Sequence, residues 1–208
     1  MEKTKLIIVG AGGHAMSVVD SIDFRAVELV GFIDGRPDLE TFLGYPVLAH
    51  DLDQVTSPES FSYFIAIGDN RARHDWYMRI KKTGATFVNI IDSSAIISED
   101  VVMGEGNFVG KQAIVNRGAE IGDNNIINTR ALIEHRCVVG SHNHVSTNSV
   151  LNGDVVLGDG TFVGSSSVTN GQLSIGSWSI IGSGSSVIRS VEDNVTVVGT
   201  PARVVKRR

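Results

Sequence analysis

The 208-residue chain has one cysteine, no apolar run of membrane-spanning length and no surplus of positive charge. One thiol excludes an intrachain disulfide framework and suits a reducing compartment, so a cytoplasmic location is expected. Without about 20 consecutive apolar residues there is no candidate transmembrane helix. The opening MEKTKLIIVGAGG reads as a charged tip entering a short strand rather than as a signal peptide. A net charge of −5 gives no reason to expect nucleic acid as a partner, and nothing points to a membrane surface. The basic end, Arg203-Val204-Val205-Lys206-Arg207-Arg208, is a local exception suited to a phosphorylated ligand.

What the chain has in abundance is a period. Aliphatic residues recur at every sixth position from Ile91 to Val187 without an insertion, and Thr169 alone breaks the type. Two positions before each of them the side chain is usually small, as at Ala113, Ala131, Cys137, Ser149 and Ser167. A period of six fits neither a helix nor an alternating strand and marks a parallel β-helix, in which three hexads make one coil of 18 residues. No hexad buries its apolar face alone, so stability has to come from stacking. Cys137 falls on the small inward position and reads as a packed hydrophobe rather than a nucleophile.

The first ninety residues alternate strand-like and helix-like segments. Lys5 to Val9, Leu29 to Asp34 and Phe61 to Gly68 are strand types; a helical pattern runs through Met16, Val19 and Ile22, and another from Arg71 to Lys82. Such alternation implies a small parallel sheet with helices on its faces. We therefore expect an α/β Rossmann-like half domain at residues 1–88 and a left-handed parallel β-helix at residues 89–208. Gly10-Ala11-Gly12-Gly13-His14-Ala15 matches the dinucleotide fingerprint, with Asp34 in the ribose-binding position. A full dinucleotide site needs two mononucleotide halves, and only one fits before the repeat begins. A phosphate or carboxylate at the helix N-terminus fits better. A nucleotide-linked or acidic sugar is thus favoured over NAD or a purely structural turn.

Outward positions of the coils are mostly small or polar, yet His135, His142 and His144 concentrate three of the six histidines in ten residues. His135 and His144 are half a coil apart and fall on different parts of the prism perimeter. If both serve one site, that site lies between neighbouring subunits. The same scatter argues against a metal site built from the three histidines, so no metal is expected.

These motifs carry a resemblance. The opening V-G-A-G-G-H fused to hexads containing I-N-T-R-A-L-I-E-H at residues 127–135 resembles the NeuD/PglD family of bacterial sugar acyltransferases. The stretches at 146–155, 161–165 and 168–173 look closest to its sialic acid O-acetyltransferase branch, NeuD. The resemblance implies acetyl transfer from acetyl-CoA to a hydroxyl of sialic acid or CMP-sialic acid, with His135 as general base. The alternative it carries is N-acetylation of a nucleotide-linked 4-amino sugar. It implies a homotrimer with acetyl-CoA between subunits, near His144, Ser165, Ser183 and Arg203. It also implies sugar-nucleotide contacts at Gly12, Gly13, His14, Asp34, Gly35 and Gly68. One departure stands out: a branch of the family has glutamate directly after the catalytic histidine, and this chain has Arg136. Glu134, Asp123, Asn128 and Arg130 are further outward polar candidates. A non-catalytic solenoid is the remaining reading of the repeat.

Overall fold

In the computed structural model residues 3–207 are described, so Met1 and Glu2 of the charged tip and Arg208 of the basic end lie outside them. The chain divides into two compact units, Met1–Ile90 and Ile91–Arg208.

The first unit contains β1 (Thr4–Val9), α1 (Gly13–Asp20), β2 (Val27–Ile33), β3 (Thr41–Phe42), β4 (Tyr45–Ala49), β5 (Ser62–Ile65), α2 (Asn70–Lys81) and β6 (Thr86–Phe87). Leu6, Ile7, Ile8 and Val9 are all buried, as a central strand covered on both faces requires. The strand order is β3-β4-β2-β1-β5-β6, and all pairings except β3 with β4 are parallel. Order therefore reverses at β1, where Val9 pairs with Ile33 on one side and Ile65 on the other. The loops leaving β1, β2 and β5 open at this switch point, where parallel sheets bind ligands. The sequence reading carried the first helix to Ile22, but α1 stops at Asp20 and Ile22 is buried beyond it. It also missed the β3–β4 hairpin, whose turn is Leu43-Gly44, both at positive φ (52° and 82°).

The second unit is the left-handed β-helix. Two-residue strands pair in parallel with the strand one coil later, for instance Ile126 with His144 and Leu132 with Val150. The first face runs from Ile90–Ile91 through His144–Val145 to Ile180–Ile181. The second runs from Ile96–Ile97 through Leu132–Ile133 to Ser186–Val187, and the third from Val102–Met103 through Val138–Val139 to Ser174–Ile175. The first face is closed by an antiparallel pair, Val195–Gly199 with Ala202–Arg207. From Val109 onward the aliphatic hexad positions are buried in one core. The first of the series, Ile91, is 43% exposed, a departure from the single buried column that the period implies.

Each coil turns its corner through a left-handed residue. From Gly106 to Gly184 every sixth residue has φ between 54° and 72°, whether it is glycine, asparagine, Arg130, Arg136 or Trp178. A left-handed non-glycine residue costs about 1–2 kcal/mol, and the coil supplies a return. The corner amide donates to a carbonyl of the previous coil, as in Arg136 to Arg117 (3.0 Å), Asp154 to His135 (3.0 Å) and Trp178 to Asp159 (2.7 Å).

Two polar columns, one of them buried, reinforce the stack. Asn107 Oδ1 accepts from the Asn125 amide, Asn125 Oδ1 from Asn143, and Asn143 Oδ1 from Thr161, at 2.7–2.8 Å. Asp123, singled out above as a site candidate, belongs to a second, partly exposed column in which Asp123, Ser141, Asp159 and Ser177 accept backbone amides in turn. Cys137 is fully buried among the hexad aliphatics, and burial pushes its thiol pKa up.

Two substitutions at equally buried polar positions should move stability in opposite directions. Asn125→Ala strands the Asn143 amide and is expected to cost about 1–3 kcal/mol. Thr169 Oγ1 is buried with no hydrogen-bond partner among the described residues, so Thr169→Val is expected to stabilise by about 1 kcal/mol. Thermal unfolding of both variants beside the parent checks the pair; equal signs would contradict the assignment.

Candidate active site

Hexad corners place the histidine that the sequence singles out. His135 sits at the corner between the second and third faces, after strand Leu132–Ile133 and before strand Val138–Val139, with its side chain exposed. Its backbone is held at both ends: the amide donates to Glu134 Oε2 at 3.1 Å, and the carbonyl accepts from the Asp154 amide at 3.0 Å. The Glu134 carboxylate therefore serves the peptide group of His135. The imidazole lies over Gly153 of the next coil.

Arg136, at the position of the departure noted above, engages the next coil. Its Nε and Nη2 donate to the two carboxylate oxygens of Asp154 at 2.7 and 2.9 Å. Both residues occupy left-handed corners one coil apart, so the pair clasps adjacent coils beside His135. The Arg136 guanidinium holds the Asp154 carboxyl below the usual carboxylate range, with a smaller contribution from His135.

The four residues expected near acetyl-CoA follow the first face. His144 lies on that face, its Nε2 3.1 Å from Asn128 Nδ2 and its ring edge-on to Phe162 at 5.1 Å. Ser165 and Ser183 sit one coil apart at the corner leaving the face, and the Ser165 hydroxyl is 2.9 Å from that of Ser146. Arg203 lies on the closing antiparallel pair, opposite Val198; it is exposed and lines a cleft of about 180 Å³ with Arg189 and Glu192. These four share one side of the prism, and His135 occupies the corner opposite it.

Of the remaining polar candidates, Arg130 is an exposed left-handed corner. His142 is another corner, with Nδ1 2.9 Å from Asn124 Nδ2. Among the described residues no group of three or more His, Cys, Asp or Glu is arranged to hold a metal ion. No helix among them is long and apolar enough to cross a membrane.

In the first unit the expected sugar-nucleotide residues gather at the switch point. Gly10, with φ +94° and a built Cβ 3.1 Å from the Ala66 carbonyl oxygen, makes the turn after β1. Gly12 caps α1 without a side-chain hydrogen bond, and His14 is the second residue of the helix. A Cβ built at Gly12, Gly13, Gly35 or Gly68 meets nothing within 4 Å, so the backbone there borders open space. Asp34 is more constrained than a ribose ligand read from the fingerprint would be. Its Oδ2 accepts from the Ala11 amide at 2.8 Å and its Oδ1 from Arg36 Nε at 2.7 Å, while Arg36 Nη2 donates to the Ala11 carbonyl at 2.7 Å. The Arg36 guanidinium, helped by the Ala11 and Arg36 amides, holds the Asp34 carboxyl below its ordinary range.

Sequence reasoning missed Arg36 and Arg73. Arg73 is 1% exposed, and its guanidinium donates to the Ile67 carbonyl at 3.0 Å and to Asn70 Oδ1 at 2.8 Å, beneath the loop that carries Gly68. Burial pushes its pKa down to about 9, which still leaves it charged at neutral pH. On a helix rich in basic residues it reads as one more solvated cation.

Comparisons with known proteins bear on both units. Residues 5–80 match the family model described as the PglD N-terminal domain. A histidine-to-asparagine variant of perosamine N-acetyltransferase from Caulobacter crescentus, in complex with CoA and GDP-perosamine, superposes with a TM-score of 0.91. It shares 33% identity over 97% of either chain. The acetyltransferase domain of PglB from Neisseria gonorrhoeae, in complex with acetyl coenzyme A, gives a TM-score of 0.91 and 28% identity over 98% of this chain and 100% of that one. An uncharacterised protein of Acanthamoeba polyphaga mimivirus is 30% identical over 105 residues, where the chain spans only 20% of its length. With the Rossmann-like unit matched by its own model, and the whole length matched by CoA-bound acetyltransferases, the chain belongs to the NeuD/PglD family of sugar acetyltransferases.

Proposed function

We propose that the protein transfers acetyl from acetyl-CoA to the amino group of a nucleotide-linked amino sugar. The observation that carries this reading is the full-length likeness to an enzyme whose structure holds both CoA and GDP-perosamine. An amine attacks the thioester carbonyl only through its free lone pair. As the N–C bond forms and the C–S bond breaks, a proton must leave nitrogen and the sulfur must be released as thiol. His135, exposed at its corner, is the group we assign to accept that proton and return it to sulfur, a role worth typically ~10²–10⁴ in rate. His144, Ser165, Ser183 and Arg203 are assigned to acetyl-CoA. Gly12, Gly13, His14, Asp34, Gly35 and Gly68 are assigned to the sugar nucleotide, whose diphosphate suits the uncapped start of α1. The cytoplasm supplies both substrates. O-acetylation of sialic acid or CMP-sialic acid is the second reading, favoured by the sequence at 146–173.

We further assign the working form to a homotrimer. Within one chain His135 and the acetyl-CoA candidates occupy opposite sides of the prism, so one site needs two copies. Ile96 and Val168 on the second face and Val102, Val138 and Val156 on the third are exposed aliphatics suited to burial against a neighbour.

Release of CoA should be measured with GDP- and UDP-linked 4-amino sugars, sialic acid and CMP-sialic acid in parallel. Turnover on an amino sugar that falls ~10²-fold or more in His135→Ala is expected; turnover on a sialic acid alone would select the second reading. Mixing the inactive His135→Ala and His144→Ala proteins under conditions that exchange subunits should restore activity, to roughly a quarter of parental by random assortment. A mixture as inactive as its components would place the site within one chain. Gly12→Leu fills the open space at the start of α1 and should raise KM for the nucleotide sugar with KM for acetyl-CoA unchanged.

A further inference from the structure

The geometry points to Gly153 as a positioning residue for the His135 imidazole: the absent side chain is the seat on which the ring lies. This deepens the reading of His135 as base and rests on it. A Cβ built on Gly153 would stand 2.5 Å from Nε2 and 2.9 Å from Nδ1 of His135, with Cε1 nearer still, so the three closest atoms all belong to that ring. Real Cβ atoms essentially never approach so closely. Most other glycines of the coils are blocked by backbone or sit at left-handed corners; Gly171, for example, would press on the Gly153 carbonyl at 2.8 Å. Gly153 differs on both counts. Its φ lies outside the left-handed region, so an alanine fits the backbone, and what it displaces is the end of a rotatable side chain. Glycine is required there by the position of the imidazole, and the fold would accept alanine.

Neighbouring bonds make the seat rigid. Asp154 donates its amide to the His135 carbonyl, and its carboxylate is gripped bidentately by Arg136. The Gly153 carbonyl accepts from the Gln172 amide at 2.9 Å, which fixes the dipeptide from the far side. The backbone of His135 and the surface under its ring are therefore set by the same two residues. The charged groups around the ring are Glu134 on its own coil, Arg136 beside it and Asp154 above it. Among the described residues the ion pair that joins the two coils here is Arg136–Asp154, and a bridge that spares the ring leaves imidazole orientation to shape.

The test is Gly153→Ala in the full-length protein, read two ways. Histidine labelled at Cε1 reports each ring by NMR across about pH 5 to 8, and His135→Ala identifies the relevant signal. The variant is expected to shift the His135 signal while the signals of the other five histidines stay in place. The melting temperature should hold, and kcat on the accepted sugar should fall by about 10²-fold, the order a 1 Å misplacement costs, with KM for acetyl-CoA unchanged. In the His135→Ala background Gly153→Ala should bring no further loss, because there is no ring left to displace. An unmoved His135 signal, or an equal further loss in that background, overturns the seat. A displaced ring with kcat intact would instead overturn His135 as the base, which separates failure of this inference from failure of the reading beneath it.

Discussion

The second unit depends on one repeated hydrogen bond, from the amide of each left-handed corner between Asn124 and Gly184 to a carbonyl of the coil before it. Side chains at those corners include Arg130, Arg136 and Trp178, none of which favours positive φ. The conformational cost per corner, about 1–2 kcal/mol, is comparable to the net worth of a buried hydrogen bond, about 1 kcal/mol. Corners are thus near break-even, and burial of the hexad aliphatics decides stability. That balance explains how corner residues vary so widely: the bond is made by backbone, and the side chain is left for other work.

His135 uses that freedom. It precedes the corner residue Arg136, so its backbone is fixed by the corner geometry while its ring projects outward onto the next coil. Where a branch of the family places glutamate after the histidine, this chain places an arginine that reaches upward to Asp154. The cation joins the two coils. In the first unit an analogous economy holds the glycine turn. Asp34 and Arg36 grip the Ala11 peptide from both its amide and its carbonyl, just ahead of the start of α1.

How far the site was legible differed between its parts. The fold class and the register of the coils follow from the period, and the choice of His135 from the family resemblance that the motifs carry. Placing His144, Ser165 and Ser183 on one side of the prism follows from the period as well, once the coil is known to take 18 residues, whereas Arg203 is brought there by the antiparallel closing pair beyond the repeat. The Asn107, Asn125 and Asn143 column had the same spacing and went unnoticed, since its members stand at the inward position two before each aliphatic, where small side chains are the rule and an asparagine spells no partner. Asp123, an acid beside a hexad corner, accepts a backbone amide from the adjoining coil, a bond that the period does not spell. Arg36 and Arg73 gave no signal, because a cation that grips a loop carbonyl and one that lies in solvent are spelled alike.

By itself the sequence determined the architecture, because hydrophobic period is a local property repeated sixteen times over, and its stacking has one solution. Tertiary structure decided which outward side chains meet. The imidazole of His135 lies on Gly153 and Arg136 grips Asp154 because the coil pitch brings those positions into contact and rotamers then choose among the neighbours within reach. Periodicity fixes the distance between coils; side-chain direction, which it does not encode, fixes the site.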